Sequence, residues 1–108
     1  MKNPPTPEQL AKIPRLYETD NIQTKDKIIH LHFSFLSCGW YIAEFDGQDT
    51  LLCFAILNGN LAMAEWGMVS YEFLRRVNIN GQEVENDINW VSKPASEVDI
   101  ICLSRGWI

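Results

Sequence analysis

Trp40-Tyr41-Ile42-Ala43-Glu44-Phe45-Asp46, a break at Gly47-Gln48-Asp49, and Leu51-Leu52-Cys53-Phe54-Ala55-Ile56-Leu57 form the longest apolar pattern in the chain. Two runs rich in aromatic and β-branched residues around a short Gly- and Asp-containing break predict a β-hairpin. The rest of the chain is organised around it.

On the N-terminal side, residues 28 to 35 alternate, with Ile28, His30, His32 and Ser34 on one side and Ile29, Leu31, Phe33 and Phe35 on the other. That predicts a strand with one face in the core. Cys38-Gly39 turns this strand into the hairpin. On the C-terminal side, Asn58-Gly59-Asn60 is a turn, and residues 61 to 69 are expected as a fourth strand. Short links between sequential strands imply an antiparallel meander, because parallel neighbours need long crossovers.

The flanks carry helix signals. Thr6 with Pro7 and Gln9 makes a capping box for a short helix that Pro14 ends. Ser70, with Glu72 in the first turn and Phe73, Leu74 and Val77 on one face, predicts a helix over 71–77. Asn80-Gly81 signals a tight turn. Ser96 is read as the cap of a helix through Ser104, stopped by Gly106, with a strand over 98–103 as the alternative. The expected fold is α+β: an antiparallel sheet of four to six strands with two or three short helices, in a single domain over 1–108 whose residues 1–6 are flexible.

At 108 residues the chain is long enough to bury roughly two thirds of its unfolded surface without staples. Three cysteines with no Cys-x-x-Cys pair argue against a disulfide framework or zinc knuckle, and point to reduced thiols in the cytoplasm. Cys53 and Cys102 are expected in the core and Cys38 at the surface. No signal-peptide pattern opens the sequence, and no apolar run approaches the ~20 residues of a membrane span. The net charge of −5 disfavours nucleic acid, whose phosphates need clustered Lys and Arg.

The charge is also unevenly placed. From Ile28 to Leu74 there is no Lys or Arg, while Glu44, Asp46, Asp49, Glu65 and Glu72 lie within. His30 and His32, two apart on a strand, share a face, and pairing about Ser37 would set His30 opposite Glu44, giving the ligand types of a metal site. Glu44 and Asp46 could also join Glu85 and Asp87 in a four-carboxylate group. Against these stand the ordinary solvation of acidic side chains and the weakness of a bare His-x-His signal. A partly exposed Trp40 would suit a protein interface.

Pro14-Arg15-Leu16-Tyr17-Glu18-Thr19-Asp20, Trp40 through Asp46, Glu65-Trp66-Gly67-Met68-Val69-Ser70 with Leu74, and Glu85-Asn86-Asp87 resemble the bacterial family known as domain of unknown function 2958. The likeness runs from about Ile13 to Trp90. It departs at Ala55, where that family usually has Gly, and at Asn86, where Arg is common. The resemblance implies a small acidic bacterial protein, often encoded on mobile elements, with no known activity. Taken together, the residues favour an acidic interaction module that binds a basic protein and needs no cofactor. The interaction candidates are Trp40, Glu44, Asp46, Asp49, Glu85 and Asp87. The alternative is a metal-dependent hydrolase built on His30, His32, Glu44 and Asp46.

Overall fold

The computed structural model describes residues 1–107. Its strands are β1 (Ile28–Ile29), β2 (Leu31–Phe35), β3 (Cys38–Phe45), β4 (Thr50–Ile56), β5 (Glu65–Ser70), β6 (Asn78–Ile79), β7 (Gln82–Glu83), β8 (Glu85–Asn86) and β9 (Lys93–Pro94). Its helices are α1 (Pro7–Ala11), α2 (Tyr71–Arg76) and α3 (Asp99–Arg105). The main sheet is antiparallel and five-stranded in the order β5-β4-β3-β2-β8, so β2 to β5 form the expected meander. β1 pairs with β9 and β6 with β7, the latter around the Asn80-Gly81 turn. The protein is an α+β fold, with three short helices among the described residues, as the pattern predicts.

The sheet has a core on each face. One packs Leu31, Phe33, Trp40, Ile42, Phe45, Leu51 and Cys53 against Ile13, Tyr71 and Leu74, which follow or lie in α1 and α2. The other packs Tyr41, Ala43, Phe54 and Ile56 against Ile29, Val98 and Ile101 of β1 and the α3 region. β3 lies at the centre, and seven of its eight residues are buried. A strand covered on both faces reads as a continuous apolar run, and the Trp40 stretch does. Trp40 itself is only 8% exposed, which corrects the expectation of a surface anchor.

Two irregularities at the same level of the sheet reset the side-chain alternation. β3 bulges between Ile42 and Glu44 opposite β4, so Ile42 pairs with Cys53 and Glu44 with Leu52. A bulge places one extra residue on its strand and rotates the residues beyond it. Phe45 therefore stays in the first core, and Glu44 turns to the opposite face. Across from the bulge, His30 separates β1 from β2 while its amide still donates to Ile42 O at 2.8 Å. Ile29 consequently joins one core and Leu31 the other, not the single face their alternation implies.

Local signals explain the helix ends. Thr6 and Gln9 form the reciprocal capping box, and Ser70 Oγ accepts the Phe73 amide at 3.1 Å. At 98–103 the helix prevails over the strand alternative, but α3 begins after Val98 without a side-chain cap, and Ser96 lies in the preceding 3₁₀ turn. Gly106 closes it with φ +72°. Residues 61–63 are a 3₁₀ turn, so the fourth meander strand starts only at Glu65. The first residues are tied down: Lys2 N donates to Val84 O at 2.8 Å and Asn86 N to Lys2 O at 3.0 Å. Cys53 is buried, which pushes its thiol up to about 12, whereas Cys102 is half-buried like Cys38, contrary to its expected core position.

Candidate functional site

The acidic residues of the β3–β4 hairpin turn inward or bind their own backbone. Glu44 is 1% exposed. Its Oε1 accepts the Tyr17 amide at 2.9 Å, and its Oε2 accepts both the amide of Thr19, at 3.2 Å, and the Thr19 hydroxyl. The buried Lys27 donates to Thr19 O at 2.6 Å and Thr19 Oγ1 at 2.7 Å, and its Nζ lies 3.9 Å from Glu44 Oε2. A buried carboxylate survives only with such partners. Here they bind the 15–27 segment onto the sheet.

Asp46 and Asp49 are similarly engaged. Asp46 Oδ1 accepts the amides of Gln48, Asp49 and Thr50 at 2.8, 2.7 and 3.0 Å. Those backbone donors hold its carboxyl below the ordinary range, the Gln48 amide foremost. Asp49 reaches the start of α2, where Oδ2 accepts Ser70 Oγ at 2.7 Å and Oδ1 the Glu72 amide at 2.7 Å. Ser70 and Asp49 thus share the capping of one helix. Glu44, Asp46 and Asp49 do not form a free acidic face.

Nor do the expected metal ligands converge. The β2–β3 register pairs His32 with Tyr41 and closes on the two-residue turn Leu36-Ser37, so His30 is not set opposite Glu44. His30 lines a cleft with Gln9 and Lys12, and Glu44 is enclosed by Thr19 and Lys27. Among the described residues no three His, Cys, Asp or Glu side chains come close enough to share an ion. The hairpin carboxylates and the pair Glu85 and Asp87 belong to no common group. Cys38 pairs with Phe35 and packs against the first core, and its Sγ accepts the Asn58 amide at 3.4 Å.

Glu85 and Asp87 mark the other end of the sheet. β8 pairs with β2, setting Glu85 beside Ser34 and Asn86 beside Phe33. Alternation sends the Asn86 side chain inward, leaving it 4% exposed with an unpartnered Oδ1, and leaves Glu85 outside. Asp87 N donates to His32 O at 3.0 Å, and Asp87 Oδ1 accepts the Asn89 amide at 2.9 Å, an Asx turn that launches residues 87–92 over the sheet. Trp90 is pinned there by its indole N–H, which donates to Ile29 O at 2.9 Å.

These contacts assemble a cluster that the sequence only partly discloses. His32 stacks on Tyr41 at 4.4 Å between centroids with a 6° interplanar angle, Trp90 lies 5.4 Å from His32, and Lys93 Nζ sits 4.7 Å over the Trp90 ring. Asp87 Oδ2 is 3.5 Å from His32 Nδ1, an ion-pair contact beyond ordinary hydrogen-bond length, and that nitrogen is otherwise buried without a partner. Burial lowers the His32 pKa, and Asp87 draws it partly back. Tyr41 is raised by burial and by the Asp87 charge.

Beside the cluster is a polar cleft of 340 Å³ lined by Asn3, His32, Ser34, Glu85, Asp87 and Asn89, among others. Ile88, which lines it, is 72% exposed, and Val91 in the same 87–92 segment is 73% exposed. Neither was singled out by pattern, although Ile88, inside the Asx turn, has no strand or helix to bury it. Carboxylates flanked by an exposed aliphatic side chain are equipped for recognition.

The fold and this site define a two-core α+β domain with an acidic, partly apolar sheet edge. No family model matches the chain, and neither a curated protein nor a solved structure matches it.

Proposed function

We propose that this protein is a small acidic interaction module whose docking face is the β8 edge with residues 87–92, and that its partner is a basic protein. One observation carries the reading: Glu85 and Asp87 line a cleft together with the exposed Ile88, an apolar anchor beside charges that steer and orient a cationic surface. The carboxylates of the hairpin are occupied within the fold, so the face is formed by Glu85 and Asp87, without Glu44, Asp46 or Asp49. The net charge of −5 supports a basic partner over nucleic acid. Free cysteines support a cytoplasmic setting, and no helix among the described residues is long and apolar enough to cross a membrane. The resemblance to domain of unknown function 2958 supports an accessory or inhibitory role on a bacterial mobile element.

The test is affinity capture from a host extract with the wild type and a Glu85→Lys, Ile88→Ser variant, both positions being exposed. The wild type should retain a basic protein that salt elutes, and the variant should retain none. Equal retention by the variant would remove this face from consideration.

A further inference from the structure

We infer that a second cleft, on the face of the sheet covered by α1 and α2, is a binding site for a small organic carboxylate with an apolar body. The cleft has a volume of 340 Å³ and is lined by Leu10, Arg15, Phe45, Gln48, Tyr71 and Arg75, among others. It is a cationic spot on an acidic protein, and its arginines are placed by separate means.

Arg15 lies against the turn of the β3–β4 hairpin. Gly47 has φ +87°, and a Cβ there would stand 3.1 Å from Arg15 Cζ, so the bare glycine backbone makes room for the guanidinium. Arg15 Nη1 donates to Phe45 O at 3.4 Å. The nearest acidic side chain in sequence, Glu18, accepts the Arg15 backbone amide at 2.6 Å. Among the described residues no carboxylate pairs with the Arg15 guanidinium. A guanidinium offers five N–H donors in a planar fork matched to a carboxylate, and most of those on Arg15 are unused.

Arg75 supplies the second cation. Its guanidinium lies 5.7 Å from the Tyr71 ring centroid and pairs with Glu72 at 3.1 Å, while Glu72 is shared with Arg76 at 2.8 Å. Two guanidinium groups against the single carboxylate of Glu72 leave the lining with one net positive charge. That balance suits a carboxylate monoanion better than a phosphate monoester of about −1.5 to −2. Leu10, Phe45 and Tyr71 provide the wall for an apolar body.

The experiment is an amide-resolved NMR titration of the whole protein with benzoate, benzamide and inorganic phosphate. Benzoate should shift the amides of Gly47, Gln48 and Tyr71 saturably. Benzamide, the neutral counterpart, and phosphate should each bind at least about tenfold more weakly. Arg15→Gln should weaken benzoate by about tenfold or more, the scale of a lost charge-assisted pair. Should that variant lose the native spectrum, Arg75→Gln, at a side chain 51% exposed, serves in its place and should weaken benzoate in the same direction. The inference is overturned by an absence of saturable shifts up to about 20 mM benzoate, by equal binding of benzamide or phosphate, or by unchanged affinity in the arginine variant that folds.

Discussion

Glu44 and Glu85 lie on the same sheet, yet one is sealed inside and the other faces solvent. Glu44 comes after a bulge on the central strand and meets two amides, a hydroxyl and a lysine. Glu85 is on a two-residue edge strand, with Lys2 Nζ at 3.8 Å as its nearest cation. The residue type is shared, and its neighbours decide whether it holds the fold together or remains available to another molecule. Asp46 and Asp49 extend the first case to backbone capping, and Asp87 stands between the two, its Oδ1 on the Asn89 amide and its Oδ2 facing His32 at an open cleft.

The strongest way to break this contrast is to reverse charge in the hairpin. Glu44→Lys with Asp46→Lys, changes that a surface location would tolerate, should prevent folding, because a cation would replace the carboxylate beside Lys27. Breaking one partner of a buried pair already costs about 3–5 kcal/mol. A native-like circular dichroism melt from the double variant would put Glu44 at the surface after all. Asp49→Ala should cost about 2 kcal/mol in urea unfolding, since it orphans the Ser70 hydroxyl and the Glu72 amide together. A midpoint equal to the wild type would mean that solvent replaces both bonds.

A smaller effect concerns the outer cluster. Burial holds His30 and His32 below their ordinary pKa, partly offset by Asp87 at His32. The unfolded chain then binds protons more readily than the native one, so stability is fully present above the unfolded value of about 6.5 and is lost as pH falls toward the depressed native values. His32→Gln should flatten part of this acid decline in urea midpoints, and Asp87→Asn should steepen it. Identical slopes in all three proteins would show that His32 is not held neutral by its surroundings.

The parts legible in the sequence were those fixed by near neighbours. The Thr6 capping box, the Ser70 cap, the Asn80-Gly81 turn and the Gly106 stop each depend on a few consecutive residues, and the meander came from short links. What escaped was set by distant partners. The bulge before Glu44 and the break at His30 depend on how neighbouring strands meet, and each switches the sheet face of the residues after it. The expected His30–Glu44 pair failed because the β2–β3 hairpin closes on Leu36-Ser37, one residue out of the register centred on Ser37. The burial of Trp40 escaped because it depends on the register, which sets Trp40 beside Phe33 in the core that 28–35 already implied, while Tyr41 enters the second core on the other face. At the candidate site, Glu85 and Asp87 were legible as carboxylates. The stacking of His32 on Tyr41 required the register, and the exposure of Ile88 required the Asx turn.

The contrast between the two glutamates rests most directly on one paired measurement: urea unfolding of Glu44→Gln and Glu85→Gln under the same conditions. Each change removes one charge and preserves shape. Glu44→Gln should lower stability by about 2 kcal/mol or more, since the amide presents a donor where amides and a hydroxyl already point and leaves Lys27 without its carboxylate. Glu85→Gln should stay within about 0.5 kcal/mol of the wild type. Equal shifts in the two variants, or a larger one at Glu85, would contradict the division of this sheet into a carboxylate that holds the fold and a carboxylate left free to bind.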